Sequence, residues 1–143
     1  MSDNLVHVGC TTCGATNRIP DTRLADDPVC GRCGTALLNG APAELTDASF
    51  DAVSARTELP VIVDFWAEWC GPCRAMAPQF ERAARELKGR ARLVKVNTEE
   101  APGLASRMGI RAIPTIALFQ NGAEVKRISG ALDAGSLVKW AQS

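Results

Sequence analysis

Six cysteines carry the most distinctive chemistry of this 143-residue sequence, and they form three Cys-x-x-Cys pairs. Cys70 and Cys73 lie where a helical pattern begins, so both sulfurs fall on one helix face and can close a disulfide with little backbone movement. The positive end of the helix dipole favours a thiolate on Cys70, and Pro72 fits a first turn that does not use its missing N–H. The pattern predicts a reactive dithiol in which Cys70 is the nucleophile and Cys73 the resolving thiol.

A structural crosslink or a metal-binding pair is the alternative for Cys70 and Cys73. Closing a loop of about four residues removes only roughly 2 kcal/mol of unfolded-chain entropy, against about 3 kcal/mol for a 15-residue loop. A short loop is therefore a poor source of stability, and the redox interpretation is favoured.

The first 40 residues contain the other two pairs, separated by 16 residues, and a glycine follows each pair. This spacing is typical of a zinc ribbon, in which four thiolates complete a tetrahedral structural site. Two disulfides or further redox pairs are the alternative. The only histidine, His7, is not expected to bind the metal. The predicted ligands of one structural zinc ion are Cys10, Cys13, Cys30 and Cys33.

Charge and hydropathy exclude several classes of function. The chain has 16 basic and 16 acidic side chains, no apolar run of membrane-spanning length, and a polar start at Met1-Ser2-Asp3-Asn4 instead of a secretion signal. We therefore expect a cytoplasmic protein that binds no membrane. Nucleic-acid binding is not expected, because the first 40 residues have no lysine or aromatic residue and their acidic groups outnumber the basic ones. The charged residues are Arg18, Arg23, Arg32, Asp3, Asp21, Asp26 and Asp27.

Hydrophobic periodicity predicts an α/β protein with a central sheet. Residues 59–67 read as a strand buried on both faces, and a helical pattern runs from residue 71 to a stop at Gly89. A linker over residues 38–42 divides the chain into a ribbon over residues 1–40 and a larger domain over residues 41–143. The other predicted elements are a short strand at Leu45, a helix over 50–55 capped by Thr46 or Asp47, a strand over 92–97, a helix over 103–108, strands over 115–120 and 124–129 joined by residues 121–123, and a helix over 136–141.

Asp64 is a carboxylate within this strongly apolar strand. Alternation places it on the same face as Ile62 and Trp66, so we expect it to be buried with a raised pKa. Such an acid close to the dithiol can accept and return the proton of Cys73. A register that turns Asp64 outward is the alternative.

Residues 61–78, reading VIVDFWAEWCGPCRAMAP, resemble the active-site segment of thioredoxins. The resemblance spans about residues 42–143 and continues through 109–115, 121–122 and 130–131, while the N-terminal cysteine spacing resembles the zinc-containing thioredoxin 2 class. It implies a thioredoxin fold, a central mixed β-sheet flanked by helices, with a small N-terminal zinc ribbon. It also implies a monomeric protein disulfide reductase that acts on disulfide-containing proteins, is reduced by an NADPH-dependent thioredoxin reductase, and holds no organic cofactor.

The same resemblance assigns roles to further residues. Lys95 becomes the neighbour of the buried aspartate, although a solvated lysine at the end of a strand is the alternative. Pro114 is expected to follow a cis peptide bond that frees the backbone of Ile113 to pair with an extended substrate. The implied catalytic residues are Cys70, Cys73, Asp64 and Lys95. The implied substrate-binding residues are Trp69, Gly71, Pro72, Ile113, Pro114 and Gly130.

Two other functions remain open from sequence. The chain could be a protein-binding adaptor that uses a thioredoxin scaffold without redox chemistry, or its ribbon could be a redox sensor that releases zinc when the thiolates are oxidised. Ala112 and Glu99 depart from the commonest thioredoxin pattern, and these departures put only the preference for partners in doubt.

Overall fold

The computed structural model describes residues 4–143, so the predicted polar start at residues 1–3, with Asp3, lies outside the described residues. The described part forms two sheets and four α-helices. The elements are β1 (Leu5–Gly9), β2 (Thr16–Pro20), β3 (Ala43–Leu45), α1 (Phe50–Arg56), β4 (Val61–Trp66), α2 (Gly71–Glu86), β5 (Arg92–Asn97), α3 (Pro102–Arg107), β6 (Thr115–Gln120), β7 (Ala123–Ser129) and α4 (Ala134–Gln142).

The larger sheet has the strand order β3-β5-β4-β6-β7. β5 pairs in parallel with both β3 and β4, whereas β6 pairs antiparallel with β4 and β7. The sheet is therefore mixed, and the predicted alternation of strands and helices along the chain is confirmed.

Helices cover both faces of this sheet, which explains why β4 is apolar on both sides. Val61, Val63 and Phe65 face α1 and α3, and Phe50 of α1 meets Phe119 of β6 there edge to face at 5.2 Å between ring centroids. The opposite face, which includes Ile62, packs against α2 and α4. Its other buried members include Met76, Phe80, Ala83, Ala84, Leu87, Leu93, Ile116, Leu118 and Leu137.

The predicted cap of α1 was wrong. The residue before the helix is Ser49, and no side chain caps the first turn. Asp47 instead accepts a hydrogen bond of 2.7 Å from the backbone N–H of Leu104, in the first turn of α3. Its carboxylate thus satisfies a free helix N–H of a distant element, which local sequence signals do not reveal.

The turn between β6 and β7 is also shorter than predicted. β7 begins at Ala123, so the loop consists of Asn121 and Gly122 alone. Both residues have positive φ, 52° and 83°. Asn-Gly favours this conformation in two-residue hairpins, whose twist matches that of the flanking strands.

The N-terminal segment folds as a β1–β2 hairpin followed by a turn closed by a Val29–Ala36 bridge. It packs on α1 and the residues after it. The backbone N–H of Gly9 donates to Thr57 Oγ1 at 3.0 Å, and the backbone N–H of Glu58 donates to the carbonyl of His7 at 2.8 Å. The division of the chain after residue 40 stays a prediction.

Candidate active site and metal centre

Cys70 and Cys73 form a disulfide at the start of α2, with their Cα atoms 5.3 Å apart. Cys70 is the residue that precedes the helix, and its Sγ accepts a hydrogen bond of 3.2 Å from the backbone N–H of Cys73. An N–H group at a helix N-terminus therefore points at the first sulfur, and both residues are buried. Pro72 occupies the first turn, as predicted.

The loop before β6 lies beside this disulfide. The Ile113–Pro114 peptide bond is cis, which confirms the expectation from the resemblance. Cys70 Sγ is 3.7 Å from the carbonyl oxygen of Ile113, and the backbone N–H of Gly130 donates to the carbonyl of Pro114 at 2.9 Å. Three segments that are distant in sequence thus meet at the first sulfur.

Trp69 is the largest exposed side chain at this site, with 66% of its surface accessible. Its indole Nε1–H donates to Glu99 Oε1 at 2.5 Å. Gly71 and Pro72 are exposed on the other side of Cys70. The disulfide therefore lies at the edge of an accessible surface that carries one fixed aromatic ring.

Asp64 is fully buried, and neither carboxylate oxygen has a hydrogen-bond partner. It lies opposite Lys95 in β5 and Ile116 in β6, on the sheet face that α2 covers. Burial raises the pKa of Asp64 from 3.8 to about 7, partly offset by the positive charge of Lys95 and reinforced by the negative charge of Glu44. The predicted burial and the predicted direction of the pKa shift are both confirmed.

Lys95 is half-buried, so it is not the freely solvated lysine of the alternative interpretation. Its Nζ lies 4.4 Å from the centre of the Trp66 ring, within the range of a cation–π contact. Trp66 itself is half-buried, and its indole nitrogen is buried without a hydrogen-bond partner. The aromatic ring thus holds the ammonium group on the same face as Asp64.

Glu44 is a member of this charged group that the sequence analysis missed. It lies opposite Lys95 in the β3–β5 pairing, as Asp64 does in the β4–β5 pairing, so one lysine lies between two carboxylates. Partial burial raises the pKa of Glu44, while the charge of Lys95 lowers it. Only the pairing register reveals this arrangement, and no local signal in the sequence specifies a register between distant strands.

The four other cysteines lie together and form no disulfide. Their sulfurs are all within 4.8 Å of one another, with Cys10 to Cys33 at 3.6 Å and Cys13 to Cys30 at 3.7 Å. Four thiolates bound tetrahedrally at about 2.3 Å from one metal ion would lie about 3.8 Å apart. The spacing of the sulfurs therefore fits a single metal ion with four sulfur ligands.

Backbone amides turn toward these sulfurs. Cys10 Sγ accepts from the N–H groups of Thr12 and Cys13 at 3.4 and 3.5 Å, and Cys30 Sγ accepts from Arg32 at 3.4 Å. The glycine after each pair has a positive φ, 76° at Gly14 and 79° at Gly34, which lets the chain fold under the sulfurs. This arrangement stabilises thiolates and is that of a metal-binding site.

His7 lies away from the four sulfurs, in agreement with the sequence analysis. Its Nδ1 is 2.6 Å from Glu58 Oε1, which also accepts from the backbone N–H of His7 at 2.6 Å. No helix within residues 4–143 is long and apolar enough to cross a membrane.

Comparisons with known proteins agree with this architecture. The family model for thioredoxin matches residues 41–143, and the model described as "Thioredoxin 2, N-terminal", a zinc ribbon, matches residues 9–35. The chain is 44% identical to thioredoxin C-3 of Corynebacterium nephridii, over 92% of this chain and 90% of the relative. It is also 44% identical to thioredoxin 1 of a Nostoc species, over 68% of this chain and 91% of the relative.

A solved structure of a mutant thioredoxin from Halobacterium salinarum superposes with a TM-score of 0.67 at 30% identity, covering 75% of this chain and 93% of the other. The mixed sheet with helices on both faces is therefore the thioredoxin fold. The segment with four clustered cysteines corresponds to the additional N-terminal ribbon. By its larger part, its N-terminal segment and its paired cysteines, the chain belongs to the thioredoxin family of disulfide oxidoreductases.

Proposed function

We propose that the chain reduces disulfides in other proteins, with Cys70 as the nucleophile and Cys73 as the resolving thiol. One observation carries this assignment of roles. Cys70 Sγ is the sulfur that accepts the Cys73 N–H at the helix start and lies beside the exposed surface around Trp69. A negative charge on Cys70 is therefore stabilised where a substrate can approach.

The reaction is a two-step exchange. The Cys70 thiolate attacks one sulfur of a substrate disulfide, the substrate S–S bond breaks, and the released thiolate takes a proton from solvent. A mixed disulfide now joins Cys70 to the substrate. The Cys73 thiolate then attacks Cys70 Sγ, the second substrate thiolate leaves, and the Cys70–Cys73 disulfide remains. Two electrons pass from the dithiol to the substrate, and the product is the form of the pair described above.

Asp64 is the proposed base of the second step. With a pKa of about 7, its carboxylate can accept the proton of Cys73 near neutral pH and return it when the pair is reduced again. Lys95, opposite Asp64, favours the ionised carboxylate and so keeps that pKa from rising further. Its role is to set the proton affinity of Asp64.

The surface around Cys70 is the proposed docking site for protein substrates. An extended substrate segment can pair with the backbone of Ile113 while Trp69 packs against its side chains. Glu99 restrains the Trp69 ring, which reduces the entropy lost on binding. The residues assigned to this site are Trp69, Gly71, Pro72, Ile113, Pro114 and Gly130.

Trapping of the mixed disulfide tests the order of attack. In Cys73→Ser the second step is blocked, so covalent complexes with disulfide-containing proteins are expected to accumulate on non-reducing gels. In the matched variant Cys70→Ser no complex is expected, and reduction of insulin disulfides is lost in both. A protein-binding adaptor would keep its activity in Cys70→Ser, and trapping by Cys70→Ser in place of Cys73→Ser would reverse the assignment.

The ribbon cysteines are proposed to hold one zinc ion with a structural role. Zinc is the metal that four thiolates at tetrahedral spacing favour, and a closed site leaves no position for substrate. The bound ion would supply folding free energy to a segment too short to bury a large core. Metal analysis and a thiol count on reduced protein are expected to give one zinc per chain, two reactive thiols and four protected thiols.

The redox-sensor interpretation has one observation in its favour: Cys33 is exposed, whereas Cys10 and Cys30 are buried. An oxidant could therefore reach one ligand first. Zinc measured before and after a peroxide dose that oxidises Cys70 separates the two ideas. Full retention of zinc supports a purely structural site, and release supports a sensor.

We further propose that an NADPH-dependent thioredoxin reductase returns electrons to the Cys70–Cys73 disulfide, so the chain itself needs no organic cofactor. We propose a cytoplasmic location and a monomeric state, because a reducing compartment keeps the four ribbon cysteines available for metal. The ribbon carries more acidic than basic groups, which does not favour nucleic acid as a partner. Reduction of the disulfide by purified reductase and NADPH tests the proposed electron donor.

A further inference from the structure

Arg92, the first residue of β5, is a buried cation at the junction between the ribbon and the larger sheet. Only 4% of its surface is accessible. One terminal nitrogen donates to the carbonyl of Ala41 at 2.9 Å, while Nε is buried and has no hydrogen-bond partner. Removing a guanidinium from water in this way costs several kcal/mol in order of magnitude unless an opposite charge compensates.

A carboxylate usually supplies that compensation, but Arg92 has none. Among residues 4–143, the ion pairs join other residues, and none includes Arg92. Burial holds the pKa of Arg92 below its ordinary value, and the charge of Cys10 is what acts in the opposite direction. The charge opposite this guanidinium is therefore on the ribbon.

The fold explains how a residue of β5 faces the ribbon. Alternation puts Arg92 on the same sheet face as Val94 and Val96, which is the face that α1 covers. The ribbon packs against α1, and Leu38 lines a small cleft together with Arg92. Leu38 belongs to the same buried cluster as Cys10.

We propose that Arg92 is the counter-charge of the four-cysteine metal centre. This inference rests on the zinc site proposed above, since four thiolates and one zinc ion together carry a formal charge of about −2. In a region closed to water, a guanidinium nearby offsets part of that charge and so slows the loss of the metal. The larger sheet thereby helps to retain the metal of the ribbon.

Zinc release from the intact, reduced chain tests the proposal. Transfer of zinc to a chromogenic chelator is expected to be about 10- to 100-fold faster in Arg92→Met, which removes the charge and keeps much of the volume. Arg92→Lys retains the charge and is expected to restore slow release. Arg56→Met is the matched control, because Arg56 also reaches the ribbon, by a hydrogen bond to the carbonyl of Gly14, but its charge is exposed.

A purely structural role for Arg92 predicts a different pattern. Arg92→Met would then be destabilised equally with and without zinc, whereas a counter-charge gives a variant that is less stable than the unmodified chain only when zinc is bound. If Arg92→Met does not fold, the unmodified chain still answers the question by NMR. The Arg92 Nε signal is expected to shift when zinc is removed, and an unchanged signal overturns the proposal.

The outcomes also separate this proposal from the zinc site itself. A chain that holds no zinc overturns both. A chain that holds one zinc ion but releases it at the same rate in Arg92→Met, or equally fast in Arg56→Met, overturns only the role of Arg92.

Discussion

Asp64 and Lys95 lie opposite each other in the parallel pairing of β4 with β5, on the sheet face covered by α2. The carboxylate has no hydrogen-bond partner, so the lysine and the protein interior act on it in opposite directions. Burial dominates, and the result is an acid that is half-protonated near neutral pH. This balance determines how both stability and activity depend on pH.

Asp64→Asn is expected to stabilise the oxidised protein at high pH. Because the pKa of Asp64 is raised in the folded state, from 3.8 to about 7, folding is favoured most below pH 4 and loses stability as the pH rises to about 7. A neutral amide does not ionise, so the variant is expected to gain on the order of 3–4 kcal/mol at pH 8 and much less at pH 4. Urea denaturation at the two pH values measures the difference.

Asp51→Asn provides the control for this experiment. Asp51 is exposed and paired with Arg107 at 2.8 Å, so its removal is expected to lower stability by less than about 1 kcal/mol. Equal stability of Asp64→Asn and the unmodified chain at pH 8 would contradict the assigned burial of charge at Asp64.

Glu44→Gln is expected to lower the pKa of Asp64 below about 7. Glu44 raises that pKa by its negative charge and shares Lys95 with Asp64, so both effects of its removal favour the ionised aspartate. The carboxyl carbon signal of Asp64 in an NMR titration reports the change. Glu81→Gln, an exposed site on α2, is expected to leave the titration unchanged, and an unchanged or higher pKa in Glu44→Gln would count against the shared lysine.

Glu99→Leu is expected to weaken the binding of protein substrates. The variant removes the acceptor of the Trp69 indole N–H, so the exposed ring loses its fixed orientation. KM for insulin reduction is expected to rise about 3- to 10-fold, the equivalent of one hydrogen bond. The rate with a small aromatic disulfide is expected to stay constant. The neighbouring variant Glu100→Leu serves as the control, and equal losses with both substrates would indicate damage to the dithiol instead.

Local spacing explains what the sequence could predict. The two ribbon pairs and the Cys70–Cys73 pair each lie within one turn of chain, so their geometry is largely specified by neighbours. The burial of Asp64 follows from period-2 alternation within a single strand. Chemistry that is encoded in a few consecutive residues was therefore visible before the structure.

Relationships between distant segments were not visible. The alignment of Glu44 with Lys95 depends on strand register, and the cap that Asp47 provides to α3 depends on tertiary packing. Arg92 looked like an ordinary charged residue at the start of a strand, and only the packed ribbon reveals that it is buried. Each of these contacts is formed by the fold as a whole and leaves no periodic or spacing signal in the chain.

Thr57→Val is expected to weaken the attachment of the ribbon to the larger sheet. Thr57 is fully buried, and its hydroxyl accepts the backbone N–H of Gly9 at the end of β1. Valine has nearly the same shape but no acceptor, so a buried N–H would lose its partner at a cost of about 1–3 kcal/mol. Denaturant unfolding of the zinc-loaded chain measures the loss, and hydrogen exchange at the Gly9 amide is expected to become faster.

Thr57→Ser is the matched control for this contact, because serine keeps the hydroxyl and loses one methyl group. It is expected to preserve the slow exchange of the Gly9 amide even if the missing methyl lowers stability slightly. The two variants thus separate the hydrogen bond from the packing of the side chain. If Gly9 exchanged equally slowly in Thr57→Val and Thr57→Ser, the N–H would have another acceptor, and the ribbon would be attached mainly through apolar contacts such as that of Leu59.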